Sequence, residues 1–149
     1  IIESRIETYN PGDAEKFSLE SFDVVIDAID SMKAKVDLIL SAYEKQVLLF
    51  SSLGAAGRTD PTFVRHSDIW KSIGCPLGKQ LRQILRKKGF SGNFEVVYSL
   101  ESPKAGYCDT REKGQKPALG SVVTVTATFG LTLASLVLNT LLLSKEENL

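Results

Sequence analysis

Three short apolar runs, separated by stretches with helical spacing, limit the folds open to this 149-residue chain more than any other feature. They read DVVIDAI (23–29), VLLFSS (47–52) and FEVVYSLE (94–101). Strands that are apolar on both faces are typical of parallel sheets, whose two faces are covered by helices. The stretches 32–45 and 77–88 place apolar residues at helical spacing between these runs. The alternation therefore predicts an α/β fold, a parallel sheet flanked by helices.

The remaining segments have weaker patterns. SRIETYN (4–10) is predicted as a strand, PGDAEKF (11–17) as a turn with a short helix, and FVRHSDI (63–69) as an edge strand. The polar stretch 102–117 is predicted as a loop, and a last helix is predicted over about 123–143.

The last predicted helix lies in a segment long enough to cross a membrane. From Ala118 to Ser144 there are 27 residues without a charge, and a bilayer takes about 20 apolar residues. However, five threonines and Gly130 interrupt this stretch, and Ala134 and Ser135 would let another backbone approach closely. These features favour a helix buried in the protein or in a homodimer interface, with no membrane; a membrane span is the alternative.

Charge is balanced overall but unevenly distributed along the chain. Residues 1–30 carry eight acids and two bases, whereas residues 58–90 carry eight bases and two acids. This asymmetry predicts a basic surface patch. The two cysteines, Cys75 and Cys108, and the lack of any C-x-x-C pair favour a reduced, cytoplasmic setting and argue against a structural zinc site.

Asp30 follows the first apolar run and directly precedes a predicted helix. Ligands of parallel α/β sheets bind beyond the carboxyl ends of the strands, where an aspartate can hold a Mg²⁺ that bridges nucleotide phosphates. The alternative is that Asp30 only caps the helix at 32–45. Asp27 falls on the opposite face of the strand, so the two carboxylates are not expected to act as a pair.

Five motifs occur in this chain in one order. They are DAIDS (27–31), GAAGRTDPT (54–62), CPLGKQLR (75–82), VVYSLE (96–101) and VTATFG (125–130). This string resembles the ThiF/MoeB/HesA superfamily of ubiquitin-activating-enzyme-like adenylating proteins, and within it the tRNA threonylcarbamoyladenosine dehydratase branch (TcdA/CsdL/YgdL-like). The resemblance covers about 4–143 and implies a Rossmann-like sheet.

The resemblance also implies that part of the family domain is missing from this chain. The glycine-rich G-x-G-G-x-G nucleotide loop of the family does not occur in the sequence. Residues 1–149 are therefore expected to form the C-terminal part of a single domain that is inactive alone. The complete enzyme would use ATP and Mg²⁺ to adenylate the carboxylate of threonylcarbamoyladenosine in tRNA, then cyclise it with net dehydration. A homodimer is also implied.

For the nucleotide site, the resemblance makes Asp30 the catalytic residue and metal ligand, with Ser31 and Lys35 beside the nucleotide. The other interpretation of Lys35 is a solvated charge on a helix.

For the tRNA, the helix at 77–88 carries bases on its outward side and no acid. Such a stripe suits phosphates, although it is also typical of a solvated face. The predicted tRNA contacts are Arg58, Lys79, Arg82, Arg86 and Lys87.

Cys108 lies in the polar loop near Lys104 and Arg111, where a thiol can be reactive; the alternative is a dispensable loop cysteine. Cys75 is interpreted as a local substitution, because the branch often has aspartate there, and His66 as structural.

Two functions of other classes stay open. One is an adenylyltransferase that activates a sulfur-carrier or ubiquitin-like protein, with sulfur-transfer proteins as partners; the absence of C-x-x-C argues against it. The other is a non-catalytic interaction or membrane-anchored module built on 118–144.

Overall fold

The computed structural model describes residues 1–104 and 120–146, the last three of these for their backbone only. The main elements are β1 (Val24–Asp27), α1 (Met32–Glu44), β2 (Leu48–Ser52), β3 (Val64–Asp68), α2 (Pro76–Lys87), β4 (Glu95–Ser99) and α3 (Val123–Glu146). Short 3-10 helices lie at Leu19–Ser21, Pro61–Phe63 and Ile69–Lys71.

One four-stranded sheet organises these elements in the order β1-β2-β4-β3. β1, β2 and β4 run parallel, and β3 pairs antiparallel with β4 at the far edge. The predicted α/β fold is confirmed. The three apolar runs form the three parallel strands, and the segment predicted as an edge strand lies at an edge.

Helices cover the two faces of the sheet. α1 and α2 pack on one face around Ile39, Leu81 and Val96, which are fully buried. α3 packs on the other face, where Val97 meets Phe129. Successive strand residues point to opposite faces, so β4 contributes to both cores and has to be apolar throughout.

The N-terminal segment differs from the prediction. No strand forms in residues 1–10, and Ile6 is fully exposed. The segment is held by side chains instead, because the Tyr9 hydroxyl donates to Asp37 at 2.8 Å and the Gly12 amide donates to the same carboxylate at 3.1 Å. A strand needs a neighbouring strand to bond with, and local alternation of apolar residues cannot supply one.

α3 forms where the last helix was predicted, and one of its faces is buried against the sheet. Val125 and Phe129 pack on the sheet, whereas Leu131, Leu138 and Leu142 are each at least 60% exposed. Within the described residues this is the one helix, over Val123–Leu143, long and apolar enough to cross a membrane. That is a criterion of length and composition, and core helices of other proteins also meet it.

Most of the predicted loop at 102–117 lies outside the described residues.

Candidate functional site

A cleft of about 220 Å³ opens at the carboxyl ends of β1 and β2. It is lined by 28–30, 52–56, Leu77 and Ser121. Three of the lining residues, Gly54, Ala55 and Ala56, have little or no side chain, so much of this wall is backbone. The carboxyl ends of parallel strands are where ligands of α/β sheets bind.

Asp30 lies in this cleft with a free carboxylate. Its side chain is exposed, and it makes no hydrogen bond or ion pair with the part of the chain that the structure describes. The N-cap of α1 is Ser31, whose own side chain makes no capping hydrogen bond. The alternative interpretation of Asp30 as the helix cap is therefore wrong. Its catalytic and metal-binding roles stay predictions.

Asp27 and Lys35 form a buried ion pair beneath the cleft, which the sequence analysis did not foresee. The Lys35 ammonium lies 2.5 Å from Asp27 Oδ2, and the two side chains are 1% and 0% exposed. Asp27 also accepts the Ser51 hydroxyl at 2.6 Å and the Ile29 amide at 2.9 Å. One sequence signal pointed this way: Asp27 interrupts an apolar run, and a charge there needs a partner.

Neither sequence interpretation of Lys35 fits this geometry. Lys35 is not solvated, and its three ammonium protons face three acceptors. These are Asp27, the Ser51 hydroxyl at 3.3 Å and the Ser52 carbonyl at 3.0 Å. No proton remains for a nucleotide phosphate. Lys35 instead joins the end of β1 to the end of β2 under the cleft.

Arg58 is buried rather than presented to RNA. It is 2% exposed, its Nε donates to the Glu101 carbonyl at 3.0 Å, and its Nη1 donates to the Gly54 carbonyl. Its Nη2 has no partner among the described residues. The predicted tRNA contact is therefore corrected, because a side chain closed off from solvent cannot reach a polyanion outside. Arg58 thus binds the backbone of Gly54, a residue of the cleft wall, from the buried side.

Glu101 fixes the same loop from the other side. Its carboxylate accepts the backbone amides of Thr59 and Asp60, each at 2.9 Å, and the Thr59 hydroxyl at 3.1 Å. Lys104 lies 3.3 Å away. The amide donors of Asp60 and Thr59 are the main cause that lowers the pKa of Glu101 to about 2. This carboxylate is a loop anchor, and the sequence analysis gave it no role.

The basic helix α2 carries the predicted bases on its outward side, but their side chains differ in exposure and in contacts. Lys79 and Lys87 are exposed. Arg82 is half-buried and donates to the Ser72 hydroxyl. The Arg86 guanidinium lies 5.2 Å from the centre of the Trp70 ring, although its side chain is exposed. Two lysines and one stacked arginine thus face solvent.

α2 also lies close to the cleft. A Cβ at Gly78 would come within 2.8 Å of the Leu53 Cδ1 atom, so any larger residue there would have to displace the Leu53 side chain. The other predicted residues have structural roles or lie outside the described residues. Cys75 is buried and caps α2 by accepting the Gly78 amide at 3.5 Å. His66 contacts Glu95 at 3.1 Å on the outer strand. Cys108 lies outside the described residues.

A magnesium ion fits this donor set only if the substrate supplies most of the ligands. The described residues contain no group of three or more histidine, cysteine or acidic side chains that could hold a metal. Mg²⁺ is commonly bound through one or two carboxylates together with substrate phosphates and water. The free carboxylate of Asp30 suits that arrangement.

Comparison with known sequences gives relatives of one kind, although no family model matches. A tRNA threonylcarbamoyladenosine dehydratase of Haemophilus influenzae is 31% identical over 92% of this chain and 57% of its own length. The Bacillus subtilis dehydratase is 39% identical over 65% of this chain and 36% of its own length. The match thus covers only 57% and 36% of the lengths of these two curated relatives.

Comparison with solved structures also gives tRNA threonylcarbamoyladenosine dehydratases. The Escherichia coli dehydratase TcdA in complex with AMP matches 95% of this chain and 57% of its own chain, with a TM-score of 0.81 and 27% identity. The same enzyme in complex with ATP matches with a TM-score of 0.78 and 29% identity.

Proposed function

Because this chain is a homologue of the tRNA threonylcarbamoyladenosine dehydratases and fits their TcdA-like branch, we propose that it is part of such an enzyme. The complete enzyme adenylates the carboxylate of threonylcarbamoyladenosine in tRNA and cyclises it with net loss of water. The observation that carries this proposal is the free carboxylate of Asp30, in a cleft at the carboxyl ends of β1 and β2. The dehydratase activity for which the relatives are named and the ATP and AMP complexes of the Escherichia coli enzyme support it.

The chemistry needs activation and then positioning. The substrate carboxylate attacks the α-phosphorus of ATP, and pyrophosphate leaves. The carbamoyl group of the same substrate then attacks the activated carboxyl carbon, and AMP leaves as the ring closes. An intramolecular attack depends on orientation, which a fixed cleft wall supplies. Here Arg58 and Glu101 fix that wall, and Lys35 fixes its floor.

Among the described residues that line the cleft, Asp30 alone has a charged side chain, and it is the proposed ligand of a Mg²⁺ on the substrate phosphates. A bound Mg²⁺ would offset phosphate charge and favour the departure of pyrophosphate. Ser31, exposed next to Asp30, stays a proposed contact to the nucleotide. Since the G-x-G-G-x-G loop does not occur in this sequence, the phosphate loop has to come from another part of the domain. The 149 residues alone would then bind ATP weakly.

The uncovered face of α3 supports a homodimer as the assembly. Val123, Leu131 and Leu138 are 74%, 72% and 60% exposed on a helix without charged residues before Lys145. Apolar patches of this kind mark interaction surfaces. We propose a cytoplasmic homodimer in which α3 packs against its copy. Cell fractionation separates this dimer from the membrane-bound alternative. The dimer stays in the supernatant after a high-salt wash, whereas a membrane-bound protein sediments.

The tRNA is proposed to contact α2 through Lys79, Arg86 and Lys87. Charge reversal of both lysines should weaken tRNA binding and lower the salt dependence by about two units of log–log slope, at roughly 0.7–0.9 per phosphate contact. Reversal of Lys33, an exposed lysine on α1, is the control. An unchanged slope would remove α2 from the interface.

The proposed function is tested by ATP–pyrophosphate exchange. The chain is combined with the part of the Escherichia coli dehydratase that it does not match. Asp30→Asn should lower exchange by orders of magnitude, because a ligand is lost where charge builds up. Asp23→Asn is the matched control, since Asp23 is an exposed aspartate at the opposite end of β1. Equal exchange in both variants would contradict the assignment of Asp30.

The relatives support this function and give no support to a carrier-protein activating enzyme. They also give none to a non-catalytic module.

A further inference from the structure

Trp70, the one tryptophan of this chain, lies half-buried beside the basic helix α2. It belongs to the 3-10 helix Ile69–Lys71, directly after β3. The Arg86 guanidinium lies 5.2 Å from the centre of its ring. In the described residues one other ring has a cation over it, that of Phe17 below Lys16. Phe17 lies in the acidic segment 1–30, so of these two rings only Trp70 has basic surroundings.

The Trp70 ring is held in a fixed orientation. Its Nε1 donates to the Gly92 carbonyl at 2.8 Å, and its backbone amide donates to Asp68 Oδ1 at 2.7 Å. The Phe90 ring lies against it, with the two ring centres 6.3 Å apart. The indole N–H, which is the one polar group of this side chain, is therefore already satisfied. What Trp70 can offer to a ligand is the surface of its ring, together with Arg86.

Arg86 has its hydrogen-bond donors free. Apart from the contact with the ring, it makes no hydrogen bond or ion pair with the described residues, and its side chain is exposed. A guanidinium is planar and has five N–H donors, so it can lie over an aromatic ring and still bind acceptors at its edge. Arg82, one turn earlier, is instead bound to the Ser72 hydroxyl. Arg82 thus ties the segment that carries Trp70 to α2, whereas Arg86 is left for a ligand.

The charge around this pair has one sign. Residues 70–88 carry six bases and no acid, and the four lysines among the bases are exposed. A polyanion complements such a surface. An aromatic ring stacked with a guanidinium favours, among polyanions, the one that also has flat rings to stack. That is a nucleic acid with unpaired bases, because the faces of paired bases are covered within the double helix.

We propose that the stacked pair of Trp70 and Arg86 binds one unpaired base of the RNA substrate, while the lysines around it contact the phosphates. That this RNA is a tRNA rests on the proposed function. Leu77 lines the cleft, and Arg86 follows nine residues later on the same helix. This is about 14 Å along the helix axis, the length of about four stacked nucleotides. A base bound at Trp70 therefore helps to position the nucleotide that reacts in the cleft.

The fluorescence of Trp70 reports this contact directly, because the chain has no other tryptophan. The chain is titrated with an RNA hairpin that has an unpaired loop of adenosines, and with an RNA duplex of equal charge that has no loop. A base stacked on the indole should quench the emission with the hairpin. The duplex should bind through its phosphates and leave the emission nearly unchanged. Equal quenching by both RNAs, or binding of the hairpin without quenching, would overturn the proposal.

Two substitutions give a second readout, the affinity for labelled RNA. Trp70→Leu removes the ring, and Arg86→Lys keeps the charge but removes the plane. Each should weaken hairpin binding about fivefold or more and change duplex binding less than about twofold. Lys79→Gln is the control, since loss of an exposed base should weaken both RNAs alike. Trp70→Phe, which keeps a ring, should retain most of the preference for the hairpin.

Melting of each variant checks folding, and Arg86→Lys alone decides if Trp70→Leu unfolds. A loss of hairpin and duplex binding to the same extent in Arg86→Lys would contradict stacking. ATP–pyrophosphate exchange separates this proposal from the proposed function. Quenching by the hairpin without any exchange would keep the stacking site and refute the adenylation, whereas exchange without quenching would keep the adenylation and refute the stacking site.

Discussion

Asp27, in β1, and Asp30, which lines the cleft just after β1, differ in burial and in hydrogen bonding. Asp27 is fully buried and accepts from Lys35, Ser51 and the Ile29 amide. Asp30, three residues later, is exposed and makes no contact of this kind with the described chain. The Asp27 charge therefore serves the fold, whereas the Asp30 charge is left available for a ligand. A buried charge must be saturated, whereas a free carboxylate at strand ends is available.

The largest effect on stability is expected at the buried ion pair of Asp27 and Lys35. Lys35→Met leaves Asp27 charged and buried, so the free energy of unfolding should fall by about 3–5 kcal/mol. Lys33→Met is the matched control, because Lys33 is exposed on the same helix, and it should change the value by less than about 0.5 kcal/mol. Urea unfolding measures both. Similar values for the two variants would show that the ion pair contributes little.

A smaller loss is expected from Ser51→Ala, which removes one hydrogen bond to the same carboxylate. Bonds to charged groups contribute about 1.5–3 kcal/mol. Ser52→Ala should cost less, because within the described residues that hydroxyl bonds only to the Leu53 carbonyl, at 3.3 Å. Urea unfolding again gives the comparison, and a larger loss at Ser52 would contradict the assigned network.

Glu101 is a third carboxylate, and its contribution to stability depends on pH. Its folded pKa, about 2, lies below the ordinary 4.5. Its stabilising effect is therefore complete above about pH 4.5 and is lost as the pH falls toward 2. Glu101→Gln should lower the melting temperature at neutral pH and flatten its dependence on pH in this window. Melting curves from pH 2 to 7 test this, and parallel wild-type and variant profiles would argue against it.

The smallest effect on stability is expected at Asp30. Asp30→Asn removes no hydrogen bond that the structure describes, so unfolding should change by less than about 0.5 kcal/mol. A loss above about 1 kcal/mol would mean that Asp30 belongs to the fold, as Asp27 does.

The pattern of apolar residues predicted the fold because each element carries its own signal. β1, β2 and β4 are apolar on both faces and α1 and α2 have helical spacing, so their positions agree within a few residues. The strand predicted at 4–10 failed for the opposite reason. Its alternation was local, and none of the strands in the described part of the chain lies beside it to pair with it.

For the site, the sequence located Asp30 through its place after an apolar run and before a helix. It could not locate the ion pair of Asp27 and Lys35, because the partners come from a strand and a helix that only packing brings together. Arg58 was misplaced for the same reason. An arginine in a glycine-rich loop looks exposed, but the loop folds over it and binds its guanidinium with carbonyl groups.

The sequence by itself determined the order of β1 to β4 and α1 to α3 along the chain, the uneven distribution of charge and the place of Asp30 after β1. These depend on residue type and spacing along the chain, which short-range sterics and burial convert directly into local structure. Only the tertiary structure decided which charges are buried and which face of α3 stays exposed. Each of these depends on the distance between segments far apart in sequence, and that distance is set by packing.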